Sequence, residues 1–413
     1  MTTSLSDAEL VNPENKWRLE TTPVQGWQKD VRPTTGKDKY LIISCDSHLS
    51  PTPGMFQERI DPKFHDLLPR LEIRDGVRFI LQPDVKPIRL VDVPLSGEDL
   101  LRTKAGAAPQ DPREYRRDSV LVDRIADQKK DGVDGEVIFP NGQALLIFAS
   151  TNEAFVQAQC RAYNDWLWEV CAADRQFCNP AAVIPTTSVD WAIEEVNRVA
   201  KLGYRTVMLP NKPIYGADNQ NDPKYNLKDY DPLWAALQDT DLTITYHVST
   251  GKDPRGTSGP GGAIINYMVH ALGPTMEPVV SMIASGVFDR FPKLRAGTIE
   301  ANAGWVPWML DAIDDIAKKH HMWSFPKLKN RPSDYYRSNC FSSFMEDKAA
   351  VMLAEEYDIV DNLLWANDYP HHEGSWPHSA EAIERTLGNH LSETSRAKML
   401  GLNAARIFRF DFS

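Results

Sequence analysis

The chain has 413 residues, 42% hydrophobic and 25% charged, with 29 prolines and a net charge of −11. This composition excludes a disordered or fibrous protein. The acidic balance argues against nucleic acid or an anionic membrane as partner, no Lys/Arg-rich run stands out against it, and small molecules are the expected partners.

Residues 1–38 are polar, broken by Pro13, Pro23 and Pro33, and carry Trp17 and Trp27; they read as an arm laid on the body or on a neighbouring subunit. The start, Met1 to Asn12, lacks the basic and apolar regions of a secretory signal, and no apolar run is long enough to cross a bilayer. The five cysteines are scattered without metal spacing and read as free, mostly buried thiols, so a cytoplasmic location is expected.

From Tyr40 onward short apolar runs alternate with helical stretches. Eight strands are expected: Tyr40 to Cys45, Gly135 to Phe139, Ala181 to Ile184, Thr206 to Leu209, Leu242 to Tyr246, Leu294 to Ile299, Asn339 to Ser342 and Asn362 to Ala366. Among the helices, Ala154 to Val170 has apolar residues at helical spacing. Ser188 or Asp190 can cap a helix whose Trp191, Val196, Val199 and Ala200 share a face and which Gly203 ends. Pro278 suits the first position of a later helix. Eight strand and helix units close a (β/α)₈ TIM barrel, so residues 39–413 are expected to form one barrel. Long insertions follow the first strand (49 to about 120) and the fifth (Ser249 to about Pro274), placed as walls or a lid over the C-terminal mouth.

Polar residues gather at those strand ends. Asp46 and His48 share a side of the first strand; His247 follows the fifth, Glu300 the sixth, and Asp368 and His371 the eighth. All six are metal-ligand types. One ion is satisfied by Asp46, His48, His247 and Asp368 with water. Glu300 and His371 then orient the ligands, act as acid or base, or hold a second ion, which is the preferred reading; the donor set suits iron or manganese at least as well as zinc. His372, beside His371, is expected to orient or contact substrate. Trp376, Trp305 and Trp308 are expected to pack. Asn141 and Asn211 reach the cavity or merely form turns, and Lys252 and Arg255 are read as solvated lid charges.

These features resemble the amidohydrolase superfamily, in its amidohydrolase 2 branch: Asp46-Ser47-His48, Thr245-Tyr246-His247, Phe291-Pro292-Lys293-Leu294 leading to Glu300, Gly304-Trp305-Val306-Pro307, and Trp365-Ala366-Asn367-Asp368-Tyr369-Pro370-His371. The resemblance implies a metal-dependent barrel with His247 and Asp368 as ligands. Asp46 stands where the usual pair begins with histidine, and no fourth-strand lysine is present to be carbamylated. With Glu300 and His371, this looks more like the branch's dinuclear non-haem monooxygenases, of which 2-aminoisobutyric acid hydroxylase is one. That group implies a pair of Fe ions or an Mn/Fe pair, O2, an external electron donor, catalytic roles for Glu300, His371 and His372, and assembly as a homo-oligomer or with a homologous subunit. The expected function is therefore oxygenase hydroxylation of a small organic substrate. The alternative is a mononuclear hydrolase or decarboxylase with Zn, and a third is a non-catalytic subunit supporting a sister chain.

Overall fold

The computed structural model describes residues 40–75, 77–83, 85–89, 121–213, 222–250, 257, 259–371, 374–376, 378–388 and 390–412. The arm 1–38, residues 90–120 of the first insertion, Lys252, Arg255 and His372 lie outside the described residues.

Eleven strands are described. Three of them, β2 (Arg70–Arg74), β3 (Val77–Gln82) and β4 (Val85–Arg89), form a small antiparallel sheet inside the first insertion. The other eight run parallel in the order β1 (Ile43–Leu49), β5 (Gly135–Pro140), β6 (Cys178–Val183), β7 (Thr206–Leu209), β8 (Thr243–His247), β9 (Ala296–Ile299), β10 (Cys340–Phe344) and β11 (Leu363–Trp365). The seam closes after β11, where Ser47 bridges Tyr369, His48 N–H donates to Tyr369 O at 2.7 Å, and Asp368 N–H donates to Asp46 O at 3.1 Å. The result is the expected (β/α)₈ TIM barrel.

Every residue of these eight strands is buried. This is why most read as short, largely apolar runs rather than an alternation, since helices cover the outside and side chains fill the inside, whereas β1 carries Ser44, Asp46, Ser47 and His48. Each fully buried Leu, Ile or Phe contributes roughly 1.5–3 kcal/mol. Gly297 in β9 is forced by the same packing: a Cβ there would lie 2.3 Å from the Phe341 ring on β10.

The helix ends follow their caps. Asn152 accepts from Phe155 N–H to start Glu153–Val170, and Ser188 accepts from Trp191 N–H to start Val189–Leu202. Gly203, at φ 108°, ends that second helix in the left-handed conformation that glycine adopts without penalty.

Several expectations need correction. β1 runs to Leu49 instead of ending at Cys45, because pairing with β5 resumes beyond an irregularity between Ser44 and Ser47. Asp46 and His48 are therefore strand residues. The second insertion is largely helical in its described part: Gly262–Tyr267 passes through a π-turn, Met268–Leu272, directly into Gly273–Ala284. Pro278 sits inside that helix, and Pro274 takes the first turn. Trp305 packs against the core, whereas Trp308, on the outer face of its helix, is 65% exposed. All five cysteines are free and buried.

Candidate metal centre

β1 and β8 carry half of the cluster. Asp46 and His48 are two residues apart, so the pleat turns both side chains to one face, and His247 ends β8 alongside them. Their side chains are 1%, 0% and 2% exposed. His247 Nε2 lies 3.3 Å from Asp46 Oδ1, and His48 Nε2 lies 3.5 Å from the same oxygen. The Nδ1 atoms face main-chain carbonyls, Pro140 O at 2.8 Å from His48 and Val248 O at 2.9 Å from His247. A carbonyl only accepts, so each Nδ1 donates, and each Nε2 is turned into the cavity.

Loops carry the other half. Glu300 follows β9 at φ 57° and Asp368 follows β11 at φ 54°. Left-handed backbone costs a residue with a Cβ roughly 1–2 kcal/mol, and hydrogen bonds hold both in place. Glu300 N–H donates to Ser343 Oγ at 3.0 Å, and Asp368 N–H reaches β1 as described. Gly374 permits the tight turn after Asp368, because a Cβ there would meet Asn367 O at 2.5 Å and Asp368 O at 2.8 Å. Asp368 Oδ1 lies 3.2 Å from His48 Nε2 and 3.0 Å from His371 Nδ1. The His48 and His371 rings stack with centroids 4.0 Å apart. Glu300 and His371 are 12% and 18% exposed and border the opening.

All six predicted side chains thus come together, in two overlapping sets: Asp46, His48, His247 and Glu300, and His48, Glu300, Asp368 and His371, with the ligand atoms of each set within 4.8 Å of one another. Three carboxylates in a buried space make the field strongly negative. Burial disfavours a charged His247, yet Asp46 and Glu300 outweigh it and lift the imidazole to about 9. Burial, then the neighbouring Asp368, pushes Glu300 well above the usual carboxylate range. Asp368 is held low against its burial by His371 and His48. The site therefore favours a positive charge at its centre.

The donor set fits a divalent cation. Asp368 Oδ2 is buried without a hydrogen-bond partner among the described residues, and His48 Nε2 has no acceptor or donor beyond the neighbouring carboxylates. Left unpaired, such atoms cost roughly 1–3 kcal/mol each. Their shared direction, and the mix of imidazole nitrogen and carboxylate oxygen, are what a tetrahedral or octahedral divalent ion requires.

Asn141 Oδ1 stands 3.4 Å from His371 Nε2 and so reaches the cavity, whereas Asn211 is buried and donates to Thr275 Oγ1 at 3.2 Å. Trp376 packs edge-on against Tyr369, at 5.2 Å between centroids.

Sequence reasoning missed the frame behind the cluster. The buried Arg124–Glu136 pair, at 2.6 Å, receives Gln128 Nε2 at 2.9 Å. Gln128 Oε1 accepts from Asn367 Nδ2 at 2.7 Å, and Asn367 Oδ1 accepts from Ser44 Oγ at 2.8 Å. Arg124 also donates to the His48 carbonyl. The available signal was the spacing of Arg124, Asp127, Gln128 and Asp131, which puts polar residues along the buried face of helix Leu121–Lys130.

The family model described as Amidohydrolase, of the amidohydrolase 2 branch, matches residues 45–410. The chain belongs to the amidohydrolase family. Within it, gamma-resorcylate decarboxylase from Rhizobium sp. (strain MTP-10005) is 25% identical over 332 residues, covering 76% of this chain and 95% of that protein. An amidohydrolase structure from Mycobacterium avium subsp. paratuberculosis K-10 superposes with a TM-score of 0.69 at 21% identity, over 89% of this chain and 98% of that one. A dihydroxybenzoic acid decarboxylase from Polaromonas sp. JS666, with bound manganese and 2-nitroresorcinol, gives 0.59 at 18% identity, over 91% and 98%. The two structural likenesses establish the shared fold.

These findings overturn the oxygenase expectation, and with it the oxidoreductase assignment: the curated relative that aligns along nearly its whole length is a decarboxylase, not a monooxygenase. The inference from Asp46, Glu300 and His371 to an iron pair has no support from the comparisons. Carboxylate and imidazole suit a single manganese or zinc ion as well as iron, so ligand type alone does not count the ions. Among the described residues no helix is long and apolar enough to cross a membrane.

Proposed function

We propose that this amidohydrolase is a mononuclear metal-dependent decarboxylase of a hydroxylated aromatic carboxylic acid. One observation carries the reading: the converging Asp46, His48, His247, Glu300, Asp368 and His371 lie at the mouth of a barrel that aligns with 95% of gamma-resorcylate decarboxylase.

Asp46, His48, His247 and Asp368 would hold the ion, manganese or zinc. When bound, it supplies positive charge that neutralises an acid substrate's carboxylate and ortho oxygen. The buried carbonyl contacts of His48 and His247 fix both rings before substrate arrives. Asp368 and His371, 3.0 Å apart, form a pair that can hold one proton between Oδ1 and Nδ1. Glu300, accepting from Tyr267 OH at 3.2 Å, borders the opening. Decarboxylation breaks the bond between ring carbon and carboxylate and forms a C–H bond with a proton from this pair, releasing CO2. It is redox-neutral, so neither O2 nor an electron donor takes part.

The test is CO2 release from gamma-resorcylate and other ortho-hydroxylated benzoates by protein loaded with manganese or zinc, beside a panel of esters and amides. The decarboxylase reading expects CO2 release that a chelator abolishes. Ester or amide cleavage without CO2 release refutes it.

A further inference from the structure

At the end of the barrel opposite the metal centre, the helix Trp305–Lys319 is joined to Pro332–Asn339 by a connection with unusual chemistry. Met322, Trp323 and Phe325 are 76%, 73% and 86% exposed, and Ile316 in the preceding turn is 56% exposed. Buried contact is the normal fate of large apolar side chains, and three of them at one tip mark an interaction surface. Around them stand Lys318, Lys319, Lys327, Lys329 and Arg331, with no acidic residue from 316 to 333. Lys319 pairs with Asp315 and Arg331 with Asp334, whereas Lys318, Lys327 and Lys329 form no ion pair among the described residues. In a chain of net charge −11 residues 316–333 are locally basic, although Asp289, Asp314, Asp315 and Asp334 lie against them.

The tip is preorganised. Ser324 Oγ donates to His320 O at 2.7 Å, Trp323 Nε1 donates to His320 Nδ1 at 3.2 Å, and Lys329 N–H donates to Asp289 Oδ2 at 3.1 Å. Pro326 and Leu328 pack on the turn at Gly286. The backbone is therefore tied down behind side chains that face outward.

We propose that this tip docks on a bilayer surface of anionic phospholipid. Protruding apolar and aromatic side chains ringed by lysines without an ion-pair partner, one of which (Lys327) donates to the His321 carbonyl, are the arrangement that enters the headgroup region, with the rings at the interface and the ammonium groups on lipid phosphates. A second copy of this chain fits less well. A two-fold axis through the tip would set the same cationic side chains against each other. The chain's overall charge opposes approach to such a membrane, so docking depends on the tip's local field at distances within a Debye length.

The test uses the full-length, metal-loaded protein with vesicles of phosphatidylcholine alone or mixed with phosphatidylserine, read by co-sedimentation. Binding to the mixed vesicles is expected to exceed binding to the neutral ones by about tenfold or more and to fade with added salt, each such lysine being worth about fivefold. Trp323→Ala/Phe325→Ala and Lys327→Glu/Lys329→Glu should each abolish it while metal content and melting midpoint stay unchanged. Equal binding to both vesicle types, no binding, or binding retained in both variants overturns the proposal. So does a wild-type dimer that ignores vesicles and that Trp323→Ala/Phe325→Ala converts to monomer, which would assign the tip to a second copy.

Discussion

The two halves of the metal centre are built differently. Asp46, His48 and His247 ride on β1 and β8, almost wholly buried, with ring tautomers fixed by carbonyls. Glu300, Asp368 and His371 come from loops, two of them through left-handed backbone, and Glu300 and His371 border the opening. A strand shared by two neighbours can hold a ligand atom still at little cost. A strained loop can carry a side chain into contact with substrate, and strain of that kind persists only where surrounding bonds enforce it. On the proposed function the difference is a division of labour: the strand half supplies three of the four ion ligands, and the loop half adds Asp368 and manages substrate and proton.

The largest expected effect strikes the strand half. His48→Ala or Asp46→Ala should release the metal, seen by elemental analysis, and lower CO2 release by roughly 10⁴-fold or more. Chelation of the wild type should lower its melting midpoint, since a ligand of the folded state stabilises it. Next comes Asp368→Asn, which keeps a ligand oxygen but not the proton-holding carboxylate. Turnover should fall roughly 10³-fold with metal content retained. Equal metal loss in His48→Ala and Asp368→Asn would break the distinction between the halves.

Smaller effects probe the frame that joins the halves. Gln128→Ala or Asn367→Ala should weaken metal affinity roughly 10–100-fold by freeing β1 and the Asp368 loop from each other; unchanged titrations would reduce the frame to packing. The smallest effect concerns Asp131, whose carboxylate accepts from Ser379 N–H at 3.1 Å. Burial pushes it up to about 8 against the Ser379 hydrogen bonds. Unfolded, an Asp titrates near about 4, so the folded state holds this proton more tightly. Its contribution to stability is fully present below pH about 4 and is lost as pH rises through about 8. Asp131→Asn should flatten the fall in melting midpoint across that window, and an identical slope in both proteins would contradict the assignment.

Much of this was legible in the sequence, for reasons that differ by element. All eight barrel strands were, because burial on both faces leaves short apolar runs, although Gly142–Ala149 carries an equally apolar run and forms a 3₁₀ helix. The cap at Ser188 and the stop at Gly203 were legible because capping is local chemistry. The antiparallel sheet β2 to β4 was not: Arg70-Leu71-Glu72-Ile73-Arg74 alternates polar and apolar residues as a strand does, but the segment lies in an insertion and its Leu71 and Ile73 stay exposed rather than marking a core face. Trp308 misled for the same reason, since a large aromatic suggests burial and the helix turned it outward.

The sequence by itself determined the barrel, the family and the six side chains that meet at its mouth, because periodicity and strand-end position are encoded in neighbouring residues. Only the tertiary structure decided what those residues become together. The seam between β1 and Tyr369 joins residues more than three hundred positions apart, and it brings Asp368 to 3.2 Å from His48 with their lone pairs unshared. The frame from Arg124 to Asn367 likewise exists only when helix, strand and loop are packed. Such contacts depend on distances in space, which no local pattern specifies.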